Sequence, residues 1–282
     1  MAIPSSDPPM ARSFTFKGAF YLLSRPSSRR CLPSPSPIQR RACLLLTYMK
    51  TRAPLTELFA FFYPATQPTV ATLNELQETI EILVGKYDMQ SIVPMAKTHL
   101  QKYLESQPLA VYAVAFAQRW EDVGRDAAKE CLKLPLRIPD PEVPRELRHL
   151  TSTAYHNLLL YHFQCAEAVK QTTKDLKWIQ NPARYCWFIC GSCAAHGSVL
   201  LSDGTAPSVR SWFMQFLNGM GEQLALKPIR SLCGHPLFFD AIRVAVYCNG
   251  HCRARALDDL NSFITVWEAK ITEEIGKVEW KF

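Results

Sequence analysis

Two pairs of closely spaced cysteines are the residues of this sequence best suited to chemistry. Two residues separate Cys190 from Cys193, three separate Cys248 from Cys252, and 54 residues lie between the pairs. Thiolates are preferred ligands of Zn²⁺, and structural zinc sites commonly join two such pairs across a fold. In a helix, spacings of three and four both project from one face, so either pair can converge on one ion. The four cysteines therefore predict a structural zinc site.

The same thiols admit two other interpretations. Cysteine packs well in helical cores, and Trp187, Phe188 and Ile189 beside the first pair favour burial. The segment 187–193 also has the Cys-x-x-Cys spacing of thiol redox proteins, although that motif requires a βαβ context. A zinc deaminase is disfavoured, because Ile189 stands where its signature has proline. Zinc binding, core packing and redox chemistry all stay open from the sequence.

Charge around a four-cysteine site matters, because four thiolates on one Zn²⁺ leave a net charge of about −2. Arg253 and Arg255 follow the second pair and are predicted to offset that charge through contacts outside the ligand shell. His196 and His251 lie close in sequence and could serve as alternative ligands.

The elements that must position these cysteines are predicted to be helices. Thr72, followed by Glu75, has the pattern of a capping box, and apolar residues recur at helical spacing along the chain. A short strand is expected near 185–189. The fold class is predicted to be all-α. Helices are predicted at about 55–63, 72–87, 91–104, 109–118, 121–132, 152–174, 208–226, 240–247 and 254–276. The predicted core includes Leu58, Phe62, Leu76, Ile80, Tyr112, Phe116, Leu159 and Trp267.

The net charge of +7 comes from the first 52 residues, which hold nine of the 32 Lys and Arg and a single acidic residue, Asp7. This segment is rich in Pro, Ser and Arg and is predicted to be a disordered tail, with a mitochondrial transit peptide as the alternative. The remainder is nearly neutral, so no nucleic-acid partner is expected. The longest apolar run, 109–117, is too short to span a bilayer, so no membrane association is expected.

Ten cysteines in 282 residues are too sparse for a disulfide scaffold, and no secretory signal is evident near Met1. These observations favour a reducing compartment, the cytoplasm or the nucleus.

Several segments in order resemble the last helices of a BTB/POZ domain. They are LTELFAFFYP at 55–64, ILVGKYDM at 82–89 and the helix at 92–104. The segments 109–117 and 127–131 look like the helical BACK extension that follows many BTB domains. The resemblance implies partial BTB-like helices at 53–107, a BACK-like extension at 108–176 and a C-terminal helical region at 177–282.

The chain is also similar to the BTB proteins of mushroom-forming fungi. Those share a Tyr-His-x-x-Cys helix, matched by Tyr161, His162 and Cys165, and a Trp-Phe-x-Cys-x-x-Cys segment, matched at 187–193. Their late Cys-x-x-Cys-Arg appears here as Cys-x-x-x-Cys-Arg at 248–253. The resemblance implies a non-enzymatic adaptor with protein partners. The first half of a BTB domain, which carries the family's dimer surface, is missing, so homo-oligomerisation and cullin-ligase bridging are not expected.

The sequence therefore predicts a non-enzymatic protein-interaction module with no catalytic residues and no cofactor other than a structural zinc. The alternative is a zinc- or thiol-dependent enzyme built on Cys190, Cys193, Cys248 and Cys252. Coordination geometry separates the two, because a catalytic zinc keeps an open position and a structural zinc is enclosed by its protein ligands.

Overall fold

The computed structural model describes residues 72–136 and 150–282. The chain divides between Arg52 and Ala53 into two units, and all the described residues belong to the second. The predicted tail at 1–52, the predicted helix at 55–63 and the core candidates Leu58 and Phe62 lie outside the described residues.

The described part of the chain is helical, which confirms the all-α prediction, with one two-stranded antiparallel sheet. A π-helical turn at Glu81–Lys86 continues the first helix, and 3₁₀ turns lie at Gln90–Ile92 and Pro182–Arg184. The helices are α1 (Leu73–Ile80), α2 (Val93–Gln101), α3 (Pro108–Ala117), α4 (Glu121–Cys131), α5 (Ser152–Lys174), α6 (Cys186–Ile189), α7 (Ser211–Leu226), α8 (Pro236–Val246) and α9 (His251–Lys277). The strands are β1 (Ala195–Ser198) and β2 (Ser208–Arg210). Among the described helices, none is both long enough and apolar enough to cross a membrane.

Local side-chain chemistry fixes where the helices begin. At α1 the Glu75 amide donates to Thr72 Oγ1, and the Thr72 amide donates to Glu75 Oε2, each at 3.3 Å. This reciprocal capping box satisfies two backbone donors and was predicted from the sequence. At α5 the Ala154 amide donates to Thr151 Oγ1 at 3.1 Å, and Pro94 occupies the first turn of α2, where it costs no hydrogen bond.

The strand predicted near 185–189 is wrong, because residues 186–189 form the one-turn helix α6. A carboxylate from another helix favours this turn: Asp259 Oδ2 accepts the hydrogen bond of the Cys186 amide at 2.7 Å. The observed strands follow later, and β2 occupies the first three residues of the helix predicted at 208–226. All four residues of β1 are exposed, so this strand lacks the alternation that reveals strands in a sequence.

Aromatic rings from α6, α7 and α9 form the centre of the core. Trp187 stacks on Phe213 with ring centroids 4.2 Å apart, and Phe263 meets Trp187 edge-on at 5.5 Å. Across the same core, the Trp267 indole donates to Thr172 Oγ1 of α5 at 2.8 Å. These contacts join α5, α6, α7 and α9 into one packed body.

Most of the predicted core residues in the described part of the chain are buried. Phe116 and Leu159 are corrections, because both are only half-buried. On α5 the buried stripe passes through the neighbouring Leu158, which is fully buried, and on through Cys165 and Val169. The other predicted core residues, all buried, are Leu76, Ile80, Tyr112 and Trp267.

Candidate metal centre

The two cysteine pairs meet in the fold. One sulfur each from Cys190, Cys193, Cys248 and Cys252 lies within 4.8 Å of all the others, so the group could hold a metal ion. The Cys190 sulfur lies 3.9 Å from that of Cys193 and 3.5 Å from that of Cys248. Sulfurs at the corners of a regular tetrahedron are about 3.8 Å apart when each Zn–S bond is about 2.3 Å. The convergence predicted from the spacing is therefore observed, at separations close to those of a tetrahedral site.

The first pair lies on the turn that joins α6 to β1. The Cys190 amide donates to the Cys186 carbonyl at 2.9 Å, so this cysteine continues directly from the last turn of α6. At the other end of the turn, Arg210 Nη1 donates to the Cys193 carbonyl at 3.1 Å. A short helix on one side and the end of β2 on the other thus fix the turn that presents both sulfurs.

The second pair lies on the connection between α8 and α9. The Cys248 amide donates to the Ala245 carbonyl at 3.1 Å, which ties Cys248 to the end of α8. The Gly250 amide donates to the Cys248 sulfur at 3.2 Å, and Cys252 lies in the first turn of α9.

Gly250 allows this connection to approach the first pair closely. A Cβ atom at Gly250 would lie 2.6 Å from Ser192 Oγ and 3.2 Å from the Cys190 sulfur. Both separations are shorter than ordinary van der Waals contacts, so a side chain here would push the two cysteine-bearing segments apart.

Backbone amides make the centre of the cluster favourable for negative charge. Burial alone would raise the pKa of Cys190. The amides of Cys252, Ser192 and Cys193 donate toward its sulfur, and the Cys248 thiol adds a further donor. Together they outweigh the burial and lower the pKa of Cys190 to about 5. One of these amides belongs to the first turn of α9, where the helix dipole also favours an anion.

Two neighbouring thiols, those of Cys193 and Cys252, hold their protons more tightly than a free thiol. Burial, and then the nearby Cys248 and Cys252 thiols, raise the pKa of Cys193. The pKa of Cys252 is raised by the hydrogen bond between this thiol and the Cys186 side chain, and then by burial. Negative charge is therefore favoured on the Cys190 sulfur, while Cys193 and Cys252 hold their protons, and a bound cation would take the place of those protons.

A buried indole supplies a second observation that fits a thiolate cluster. Trp212 Nε1 is buried without an oxygen or nitrogen partner. It lies beside the Cys252 sulfur, where it opposes the rise in the pKa of that thiol. An indole N–H is only a donor, and a metal-bound thiolate is a good acceptor, so Trp212 is placed to donate to Cys252 when the sulfur is deprotonated.

The two arginines predicted to offset the charge of the cluster differ in their surroundings. Arg255 forms an ion pair with Asp259 at 3.3 Å and also donates to the Arg184 carbonyl, so it holds the start of α6. Arg253 is exposed. The guanidinium that contacts the cysteine turn is that of Arg210. Arg210 was not identified from the sequence, because it lies 17 positions after Cys193.

The residues that support the cluster were mostly missed by reasoning from the sequence. His196 and His251 are exposed and lie outside the four-sulfur group. Cys186 is fully buried and contacts Cys252 as a fifth thiol, outside that group. The glycine between Cys248 and Cys252 was the one available signal, since a glycine between close ligands indicates a tight approach of backbone.

Three of the four cluster cysteines are shielded from solvent. Cys190 and Cys252 are fully buried and Cys248 is 7% exposed, whereas Cys193 is half-buried.

No protein-family model, curated protein or solved structure matches this chain. The resemblance to the BTB/POZ family accordingly stays a prediction, and the function has to be inferred from the site.

Proposed function

We propose that Cys190, Cys193, Cys248 and Cys252 bind one structural Zn²⁺ ion, and that the helical body held by this ion is a non-enzymatic protein-interaction module. The observation that carries the proposal is the meeting of four sulfurs within 4.8 Å from two segments far apart in sequence. Packing alone does not require four thiols to share one centre, because each pair could face a different neighbour.

The donor set favours zinc held in a structural role. Thiolates select soft or borderline metals, and a four-sulfur tetrahedron is typical of structural zinc. Four protein ligands leave no position for a water or substrate molecule, so a catalytic zinc is disfavoured. Amide donors around Cys190 and the Trp212 indole beside Cys252 supply the hydrogen bonds that thiolates in such sites accept.

The ion would add to the contacts between two segments that already meet through packing and through the hydrogen bonds of Asp259 and Arg255. One half of the site follows α6, and the other half precedes and begins α9. When bound, Zn²⁺ supplies four bonds that fix the turn after α6 against the start of α9. Because a preformed site is absent from the unfolded chain, the free energy of metal binding adds to the free energy of folding.

Support for a protein partner comes from the resemblance to BTB proteins and from the surface of α8. Phe239 of this helix is 60% exposed, and Tyr247, just after the helix, is 83% exposed. We take these exposed side chains as the candidate interaction surface, because apolar patches on a surface are typical of protein-interaction sites. Tyr247 immediately precedes the zinc ligand Cys248, so the metal would hold the end of this surface in place.

Metal analysis of the full chain tests the proposal. We expect one zinc per chain in the purified wild-type protein and none in a Cys190→Ser/Cys248→Ser variant. A Cys233→Ser variant is the control, since Cys233 is an exposed thiol outside the cluster and its loss should leave the zinc content unchanged. Absence of zinc from a wild-type protein purified with zinc present would contradict the proposal.

X-ray absorption then separates a structural site from a catalytic one. We expect four sulfurs at about 2.3 Å from the zinc. An oxygen in that shell would indicate an open position and would favour a zinc enzyme instead.

A further inference from the structure

A cavity lies at the other end of α9 from the cysteines. Its volume is about 760 Å³, and its walls come from α4, from the connection between α7 and α8, and from α9 with the segment that follows it. Thr272 on its wall is twenty residues along α9 from Cys252, which corresponds to about 30 Å of helix. Cavities of roughly 300–1,000 Å³ are the size used to bind small molecules.

One wall of the cavity is held in place by aromatic packing. The segment 278–282 folds back from α9, and the Phe282 ring lies 5.1 Å from that of Phe116 on α3. Gly124 of α4 makes room for it, since a Cβ atom there would lie 2.7 Å from the Phe282 ring. The Arg125 guanidinium lies over the Trp280 ring at 5.7 Å. The wall formed by Trp280 is thus anchored on two helices.

The charged groups that line the cavity are mostly cationic. Lys129 has no ion-pair partner in the part of the chain that the structure describes, and Arg230 donates at 2.8 Å to the uncharged amide oxygen of Gln223. Arg125 is paired with Glu121 at 2.9 Å. The carboxylate among the lining residues, Glu268, accepts the Leu232 amide at 3.2 Å. Lys129 and Arg230 outnumber this single carboxylate, so the lining keeps a net positive charge that favours an anion.

The remaining surface of the cavity is largely apolar. Ile271 and Ile275 of α9 are buried side chains on its floor, and Ile229 and Val278 flank them. We propose that the cavity binds an amphiphilic monocarboxylate, with the carboxylate at Lys129 and Arg230 and the apolar tail along Ile271 and Ile275. Guanidinium groups match carboxylates in geometry, and buried isoleucines stabilise an alkyl chain by removing it from water.

Calorimetric titration of the full chain with octanoate tests this proposal. We expect a dissociation constant below about 1 mM, in the range that ten ligand atoms can reach. 1-Octanol keeps the tail without the charge and acetate keeps the charge without the tail, so we expect each to bind at least roughly tenfold more weakly. The proposal would be overturned if octanol bound as tightly as octanoate. It would also be overturned if octanoate showed no binding at about 1 mM.

Two variants assign the binding to this cavity. Lys129→Gln/Arg230→Gln should weaken octanoate binding by roughly tenfold or more, because it removes the two cations proposed to hold the carboxylate. Lys177→Gln/Arg243→Gln is the matched control, since it changes the net charge equally at ion pairs elsewhere and should leave the affinity unchanged. Thr272→Trp places a large ring in the cavity from an exposed helix position and should abolish binding without disturbing the fold. Unchanged affinity in either cavity variant would contradict the assignment.

Discussion

Gly250→Ala is the single substitution that most directly tests the close approach of the two cysteine segments. The added Cβ would lie 2.6 Å from Ser192 Oγ, 3.1 Å from Ser192 Cβ and 3.2 Å from the Cys190 sulfur. The hydroxyl can rotate away, but Ser192 Cβ and the sulfur belong to the turn that carries the cluster. The turn must therefore move by a few tenths of an ångström.

The expected cost follows from two opposing effects. Overpacking a close-packed site destabilises by about 1–3 kcal/mol. Alanine also restricts the unfolded chain, which stabilises by about 0.4–1 kcal/mol where the backbone conformation permits, and this sets an upper limit on the compensation at Gly250. We expect a net loss of about 1–2 kcal/mol in the free energy of unfolding, together with weaker zinc binding.

Gly276→Ala is the control, because the same substitution near the end of α9, the helix that Gly250 precedes, meets nothing within 4 Å. It should stabilise by about 0.5–1 kcal/mol, as alanine does in a helix. Ser192→Gly combined with Gly250→Ala removes two of the three close contacts and should recover most of the loss. Urea unfolding followed by circular dichroism at a buffered free zinc concentration measures all of these variants. A Gly250→Ala protein as stable as Gly276→Ala would show that the close contacts at Gly250 carry no cost.

Three further expectations concern the helical body. Leu158→Ala should lower the free energy of unfolding by about 2–5 kcal/mol, because the side chain is fully buried. Leu160→Ala, at a nearby position that is 39% exposed, should lower it much less, and chemical unfolding of both variants compares them directly. Asp259→Ala should cost about 1–3 kcal/mol because it leaves the Cys186 amide without its acceptor, whereas the adjacent exposed Asp258→Ala should stay within about 0.5 kcal/mol of wild type in the same assay. Burial raises the pKa of Tyr112 to about 12. Because the unfolded phenol ionises near pH 10, the stability that this residue contributes is complete below about pH 10 and is lost as the pH rises toward 12. The free energy of unfolding should therefore fall less steeply with alkaline pH in Tyr112→Phe than in the wild type. Identical alkaline profiles would contradict this.

Helix periodicity predicted the body of the fold closely. The helix predicted at 152–174 is observed with those ends. Its apolar stripe and the Thr151 cap both depend on residues within or next to the helix itself. The capping box at Thr72 succeeded for the same reason. The helices predicted at 109–118 and 121–132 end within a residue of their observed ends.

The errors lie where distant residues decide the local structure. Residues 186–189 are apolar and aromatic, as in a buried strand, yet a carboxylate 73 positions away caps them as a helical turn. The strands at 195–198 and 208–210 are short and mostly exposed, so neither composition nor alternation indicates them.

The cysteine cluster was predictable because its spacing repeats a known ligand pattern. Its surroundings were not. Arg210 and Trp212 reach the cluster from β2 and the start of α7, and only the tertiary fold places them there.

The two ligand pairs also determine how the protein would tolerate a cut in its backbone. The exposed turn at 202–206 lies between Cys193 and Cys248, so cleavage there leaves two ligands on each fragment. A four-thiolate ion, bound as proposed, would bridge the fragments regardless of peptide continuity, and the ring stack of Trp187 on Phe213 spans the same cut. The two pieces should therefore remain one particle while the metal is bound, and chelation should weaken their association. The protein could in this way be divided into complementing halves whose reassembly zinc strengthens.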